Sequence, residues 1–146
     1  MDQSFVTEST MQRQRLRALV SRLTDDELAL PLADGWTVAT ALAHLAFWDQ
    51  RGLVLLRRWA HSGVGSSPID VDATNDTILP LCLALVPRVA ANLALETAET
   101  IDRTLAQASP QFIADIHNLG KFRLNRGLHR CEHLDEIEAA LSLVVR

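Results

Sequence analysis

Two histidines, His129 and His133, stand four residues apart in the segment Leu128-His129-Arg130-Cys131-Glu132-His133-Leu134. On an α-helix, residues four apart share a face, so both imidazoles can be aimed at one point. Neutral imidazole binds zinc, nickel or iron at about 2 Å, and such a pair is a recurrent half of a divalent-metal site. The same spacing also arises by coincidence on a solvated helix. Position on the helix separates the two cases. Ile137, Leu141, Val144 and Val145 define the apolar face further along. At about 100° per residue, that face projects back onto Arg126 and Arg130, with both histidines on its flank. Ionisable groups at the end of a buried stripe either emerge into solvent or must be paired or bound to metal, because burying them alone is costly.

A third histidine favours the metal. His44, in Ala43-His44-Leu45-Ala46-Phe47-Trp48, flanks another apolar stripe beside Ala41 and Trp48. Alone it reads as a hydrogen-bonded core histidine. Facing an HxxxH pair, it completes three ligands from two elements, and three protein ligands with an open fourth position is the arrangement of a catalytic metal. His61 and His117 fall in expected connecting segments and are set aside as ligands.

The neighbours of these histidines offer further chemistry. Glu132 makes the segment read HxxEH, the inverted zinc-protease pattern, but that family draws its third ligand from a glutamate far downstream and few residues follow His133. The peptidase reading is set aside, leaving Glu132 as a surface charge or a local base. Cys131 lies roughly opposite the histidines and reads as a small core residue. Asp49, on the apolar side of its helix, either orients a histidine or pairs with an arginine. It joins Glu132 as a catalytic candidate. Arg51, on the face of His44, together with Arg126 and Arg130, can receive an anionic substrate group, or can form surface salt bridges. Trp48 and Trp59 read as core, and Trp36 as a hydrophobic staple. The segment from Gly63 to Pro68 lacks the lysine and strand of a phosphate loop, and Ser62, Ser66 and Ser67 form no nucleophile elbow.

The elements that must position these residues are helical. Leu16, Leu19, Val20 and Leu23 mark a first helix over about Glu8 to Leu23. Thr24 and Glu27 form a capping box that opens a short turn, Asp34-Gly35 marks a bend, and Thr37 is an N-cap. A second helix runs from about Val38 to Ala60 along Val38, Leu42, Leu45, Trp48, Leu56 and Trp59. The Gly- and Ser-rich stretch from Ser62 to Pro68 suits a long crossover. A shorter helix begins near Asn75, and Pro87 either starts a new helix or kinks a continuous one. That pattern resumes through Val89 and Leu105 and stops at Ser109-Pro110; a last helix covers about Leu124 to Val145. No alternating strand is present, so the expected fold is all-α: a four-helix bundle with one long crossover, in a single domain spanning 1–146.

Composition narrows the function classes. At 48% hydrophobic and 22% charged residues, the chain is that of an ordinary globular protein. A formal charge of −4 argues against a nucleic-acid groove, which needs clustered positive charge. No apolar run approaches the roughly 20 residues of a membrane span. The N-terminus lacks a secretory pattern, and Cys82 and Cys131 make no disulfide framework. A reduced, cytoplasmic location is expected, with no nucleic-acid or membrane partner.

Asp34-Gly35-Trp36-Thr37, followed by His44-Leu45-Ala46-Phe47-Trp48-Asp49 and a late His129-x-x-x-His133, resembles the DinB/YfiT-like superfamily, which includes relatives of mycothiol-dependent maleylpyruvate isomerase. The resemblance covers most of the chain. It implies a four-helix bundle, often a homodimer, with a divalent metal held at the positions of His44, His129 and His133. It further implies thiol-dependent transferase, isomerase or hydrolase chemistry on a small molecule, with a low-molecular-weight thiol as cosubstrate in the first two. Histidine at 129, where the isomerase branch carries a carboxylate, points to the three-histidine branch. The leading expectation is a thiol-dependent S-transferase or isomerase-type activity. The alternatives are hydrolysis by a metal-bound water and a non-catalytic metal-binding or stress-related module.

Overall fold

The structure is a computed structural model and describes residues 4–144. In chain order the helices are α1 (Ser4–Arg22), α2 (Asp25–Leu28), α3 (Val38–Ser62), α4 (Val71–Leu83), α5 (Pro87–Gln107), α6 (Pro110–Leu119) and α7 (Gly127–Val144), with a single 3₁₀ turn at Ala33–Gly35. No strand occurs among the described residues; Pro31 and Thr37 form an isolated bridge.

Side-chain caps set the helix starts. Thr37 accepts the amide of Thr40 at 3.1 Å, and Thr40 Oγ1 accepts the amide of Thr37 at 2.6 Å. This reciprocal pair satisfies amides that the first turn leaves open and begins α3. Thr24 and Glu27 close the expected box on α2. Between them, Asp34 and Gly35 both take positive φ, 58° and 81°, which suits the two residue types that visit this region most readily. Pro87 begins α5 rather than kinking a longer helix. Ser109-Pro110 does end α5, but it also starts α6: Ser109 accepts the amide of Phe112 and Pro110 occupies the first turn. That helix was not expected.

Ion pairs report the helix directions. Arg13 meets Asp102, Arg17 meets Glu99, and Arg88 donates to the carbonyls of Val20 and Leu23, so α1 and α5 are antiparallel. Arg15 meets Asp135 and Arg22 meets Glu138, so α1 and α7 are parallel. His44 faces His129 while Asp49 faces Arg126, so α3 and α7 are antiparallel. It follows that α3 and α5 run in the same direction. Parallel neighbours cannot be joined by a tight turn, and the segment from Gly63 through α4 supplies the long crossover of this four-helix bundle.

Small residues let α3 and α5 approach closely: Ala39, Ala41 and Ala46 meet Ala91, Ala94 and Ala98 in one core cluster with Leu16, Leu42, Leu134 and Ile137. A second cluster, with Leu53, Leu56, Trp59, Ile101 and Ile116, takes in Phe122. No described helix is long and apolar enough to cross a membrane.

The start of α7 is seated by contact with α1. The amide of Arg126 donates to Ser9 Oγ at 3.1 Å. A Cβ on Gly127 would stand 2.7 Å from the carbonyl oxygen of Glu8, closer than real contacts allow. Because the obstacle is backbone, Gly127→Ala must push α7 outward. A cost of about 1–3 kcal/mol is expected, read as a lower denaturant midpoint. Gly65→Ala, which meets nothing within 4 Å, should leave the midpoint nearly unchanged.

Candidate metal centre

His44 sits in the second turn of α3, and His129 and His133 share one face of the first turns of α7. Nε2 of His129 lies 3.0 Å from Nε2 of His44 and 3.1 Å from Nε2 of His133. All three ligand atoms fall within 4.8 Å of one another, a group that can hold a metal ion. A single ring nitrogen carries either one proton or one lone pair, so hydrogen bonding accounts for only one of the two contacts of His129. A cation shared by the three nitrogens would account for both contacts. Nitrogens bound tetrahedrally to a cation at about 2.0–2.1 Å stand about 3.3 Å apart, close to the two spacings made by His129, while His44 and His133 stand within 4.8 Å of each other.

The electrostatics agree. Burial, followed by the charge of His133, pulls His44 from its ordinary 6.5 down to about 4. Burial, His133, His44, Arg126 and Arg123 together pull His129 down to about 2. Burial also lowers His133, against the opposing pull of Glu136 and Glu132. All three rings are therefore neutral near pH 7, the form that ligates. Nδ1 of His44 and Nδ1 of His133 are buried with no hydrogen-bond partner among the described residues; Glu136 approaches His133 Nδ1 at 3.7 Å, too far for a hydrogen bond. The ring of Trp36 packs edge-on against His44 at 5.2 Å, with Trp48 on another side at 6.4 Å.

Residues 9–145 match the sequence model of the DinB superfamily. The chain belongs to the DinB superfamily. No curated protein and no solved structure matches it significantly. The all-helical bundle is that of the superfamily, whose members bind metal, and the three-histidine cluster of this DinB protein fits such a site.

The other residues singled out in the sequence scatter around this centre. Asp49 touches no histidine. It pairs with Arg126 Nε at 3.0 Å and Arg130 Nη2 at 3.3 Å. Arg130, expected to meet substrate or solvent, is only 1% exposed. Its guanidinium binds both oxygens of Asp102 at 2.8 Å and the carbonyl of Ser9 at 3.1 Å. Burial opposes its charge, but the hydrogen bonds and charges of Asp102 and Asp49 outweigh that and hold its pKa above the ordinary value. Removing one partner from such a buried pair typically costs about 3–5 kcal/mol.

Arg51 and Arg126 do line a cavity with His44 and His129, and Glu132 stands exposed on its wall. Trp48, expected in the core, is half-buried on that wall and donates from its indole to Asn75 Oδ1 at 3.0 Å. Trp59 is core, as expected. Cys131 is not core. It is half-buried between α1 and α7, 3.9 Å from Arg15 and within reach of Asp135. His61 and His117 lie in the last turns of α3 and α6, outside the cluster.

These lowered histidine pKa values fix a pH dependence. In the unfolded chain a histidine takes up its proton near 6.5, whereas folded His44 and His129 resist until about 4 and about 2. The unfolded state therefore binds more protons below 6.5, and stability falls with pH from there toward about 4 and below. Denaturant midpoints of the metal-free protein should drop between about pH 7.5 and pH 5, a range in which ordinary carboxylates stay ionised. In His129→Gln the drop should shrink. An equal drop in both proteins would mean that the cluster is not the cause.

Proposed function

We propose that this DinB protein is a metal-dependent enzyme of small molecules, with His44, His129 and His133 as the metal ligands and thiol transfer or thiol-assisted isomerisation as its reaction. One observation carries the reading: three neutral imidazole nitrogens converge beside a cavity of about 360 Å³ that two of those histidines line. A structural metal is closed off by its ligands, whereas a catalytic one keeps a position free on the side of the substrate.

When bound there, zinc, nickel or iron would lower the pKa of a coordinated thiol or water, making the deprotonated nucleophile available near neutral pH. The chain's own residues would do the rest. The histidines, held neutral by burial, would supply three ligands without added charge. Trp36 and Trp48 would shield the His44 ring from solvent and fix its rotamer through edge contacts. The cavity volume falls within the range of small-molecule sites. A second reading, hydrolysis by a metal-bound water, draws on Glu132, whose carboxylate on the same wall could accept the water's proton.

Elemental analysis of the purified protein tests the ligands. One divalent metal per chain is expected, lost in His44→Ala and His133→Ala while their circular dichroism is preserved. Assays of thiol conjugation against an electrophile panel, with ester and amide hydrolysis in parallel, test the reaction. Turnover should vanish with chelator and return on adding zinc, nickel or iron. Metal binding without any turnover would favour the non-catalytic module, and chelator-insensitive turnover would contradict the metal-dependent mechanism.

A further inference from the structure

The cavity beside the histidines has a cationic wall. Arg51 from α3 and Lys121, Arg123 and Arg126 from the segment between α6 and α7 line it, and Glu132 is its one acidic lining residue. Four cations around one cavity run against the chain's formal charge of −4. Among the described residues, neither Arg51, Lys121 nor Arg123 has an acidic partner within ion-pair distance. The ion pairs elsewhere on the molecule have left these cations unmatched.

Arg126 is oriented rather than free. Its Nε donates to Asp49 at 3.0 Å, Nη2 to the carbonyl of Trp48 at 3.3 Å, and Nη1 to the carbonyl of Arg123 at 3.3 Å. Its guanidinium lies 5.4 Å from the Phe122 ring. Three of its five N–H groups are thus used to set the plane, and two remain for a ligand. Arg51 is held in a similar way, with Nη2 on the carbonyl of Ser67 at 2.9 Å and its guanidinium 5.9 Å from the Trp48 ring. The two guanidinium groups are close enough that the charge of Arg126, after burial, lowers the pKa of Arg51. An anion between them relieves that repulsion and uses the remaining donors in the geometry guanidinium favours for oxyanions. Trp48, Phe122, Ile69 and Val71 give the lining an apolar and aromatic part, and Asn75 and Asn125 add neutral polar groups.

We propose that this cavity takes a small organic acid, its carboxylate or phosphate held by Arg51 and Arg126 and its apolar body against Trp48 and Phe122, with its reactive part beside His44 and His129. Asp49 is a positioning residue in this scheme, acting through Arg126. Lys121 and Arg123 add long-range attraction for the acid. The inference rests on the reading of the histidine cluster as the reacting centre, since that places the acid as substrate.

Calorimetric titration with phenylacetate, phenyl phosphate and the neutral phenylacetamide tests it. The wild type, Arg51→Gln and Arg126→Lys are compared in the metal-loaded protein and again in the His133→Ala background. At least one acid should bind on the order of tenfold or more tighter than the amide. Each arginine substitution should weaken that acid by a similar factor, leaving amide binding and, for Arg51→Gln, metal content unchanged. The tighter of the two acids identifies the anionic group. Persistence of the arginine effect in His133→Ala shows that the acid is held by the arginines and not by the metal. Equal affinity for acid and amide, no binding of either acid, or acid binding unchanged in both arginine variants overturns the proposal. Acid preference in a protein that takes up no metal would overturn the metal reading alone, and metal uptake without acid preference would overturn this one alone.

Discussion

Arg130 leaves the first turn of α7 and ends where all four long helices meet. Its guanidinium donates to Ser9 of α1, to Asp49 of α3, and to Asp102 and the carbonyl of Ala98 of α5. A buried guanidinium tolerates little displacement, because each lost hydrogen bond leaves charge unsatisfied in a poor solvent for it. The rotation and depth of α7 are thereby fixed, and His129 is the adjacent residue. One helical position earlier than a fully buried side chain is the flank of the helix, where His129 reaches Nε2 of His44 across the α3–α7 seam. His133, one turn on, follows from the same rotation. The histidine cluster is thus a consequence of how the arginine is seated.

The same network connects two environments with opposite needs. Asp49 and Asp102 are shared among Arg13, Arg126 and Arg130, so the buried group alternates in sign across the bundle and ends on a cation at the cavity. No acidic side chain of that network turns toward the imidazoles. Burial and nearby positive charge keep His44 and His129 neutral, and no carboxylate of that network stabilises their protonated form. Neutral nitrogens on one side and fixed cations on the other give the cavity two distinct chemistries within a small space. The crossover helps to enclose it: α4 supplies Val71 and Asn75, and Asn75 holds the Trp48 indole.

Much of this was legible in the sequence because helices and caps are local. The apolar spacing along α1, α3, α5 and α7, the Thr24 and Thr37 caps and the HxxxH pair all depend on residues within one or two turns of each other. The stop at Ser109-Pro110 was half legible, because a serine followed by proline serves both as an end and as an N-cap with proline in the first turn; Ile113 and Ile116, at helical spacing, were the signal for α6. Arg130 projected onto the buried face, yet its role depended on Asp102, a single acid on a distant helix that nothing local marks as buried. The choice left open for Asp49, between a histidine and an arginine, likewise needed the third dimension. Lys121 and Arg123 lie in a segment without helical period, so no sequence pattern could place them at the cavity. Trp48 followed the apolar stripe but ended as a wall of the cavity, because the stripe narrows where the histidines replace the core, and Trp36, read as a staple, packs against His44.

What unites the fold and the site is a set of three imidazoles that can hold one ion. X-ray absorption at the zinc K-edge of the protein loaded with one equivalent of zinc reads that ligand set directly. Three imidazole nitrogens at about 2.0–2.1 Å, with light-atom scattering from one further position, are expected. A sulfur shell near about 2.3 Å, or a shell of oxygens without imidazole scattering, would contradict the assignment of His44, His129 and His133.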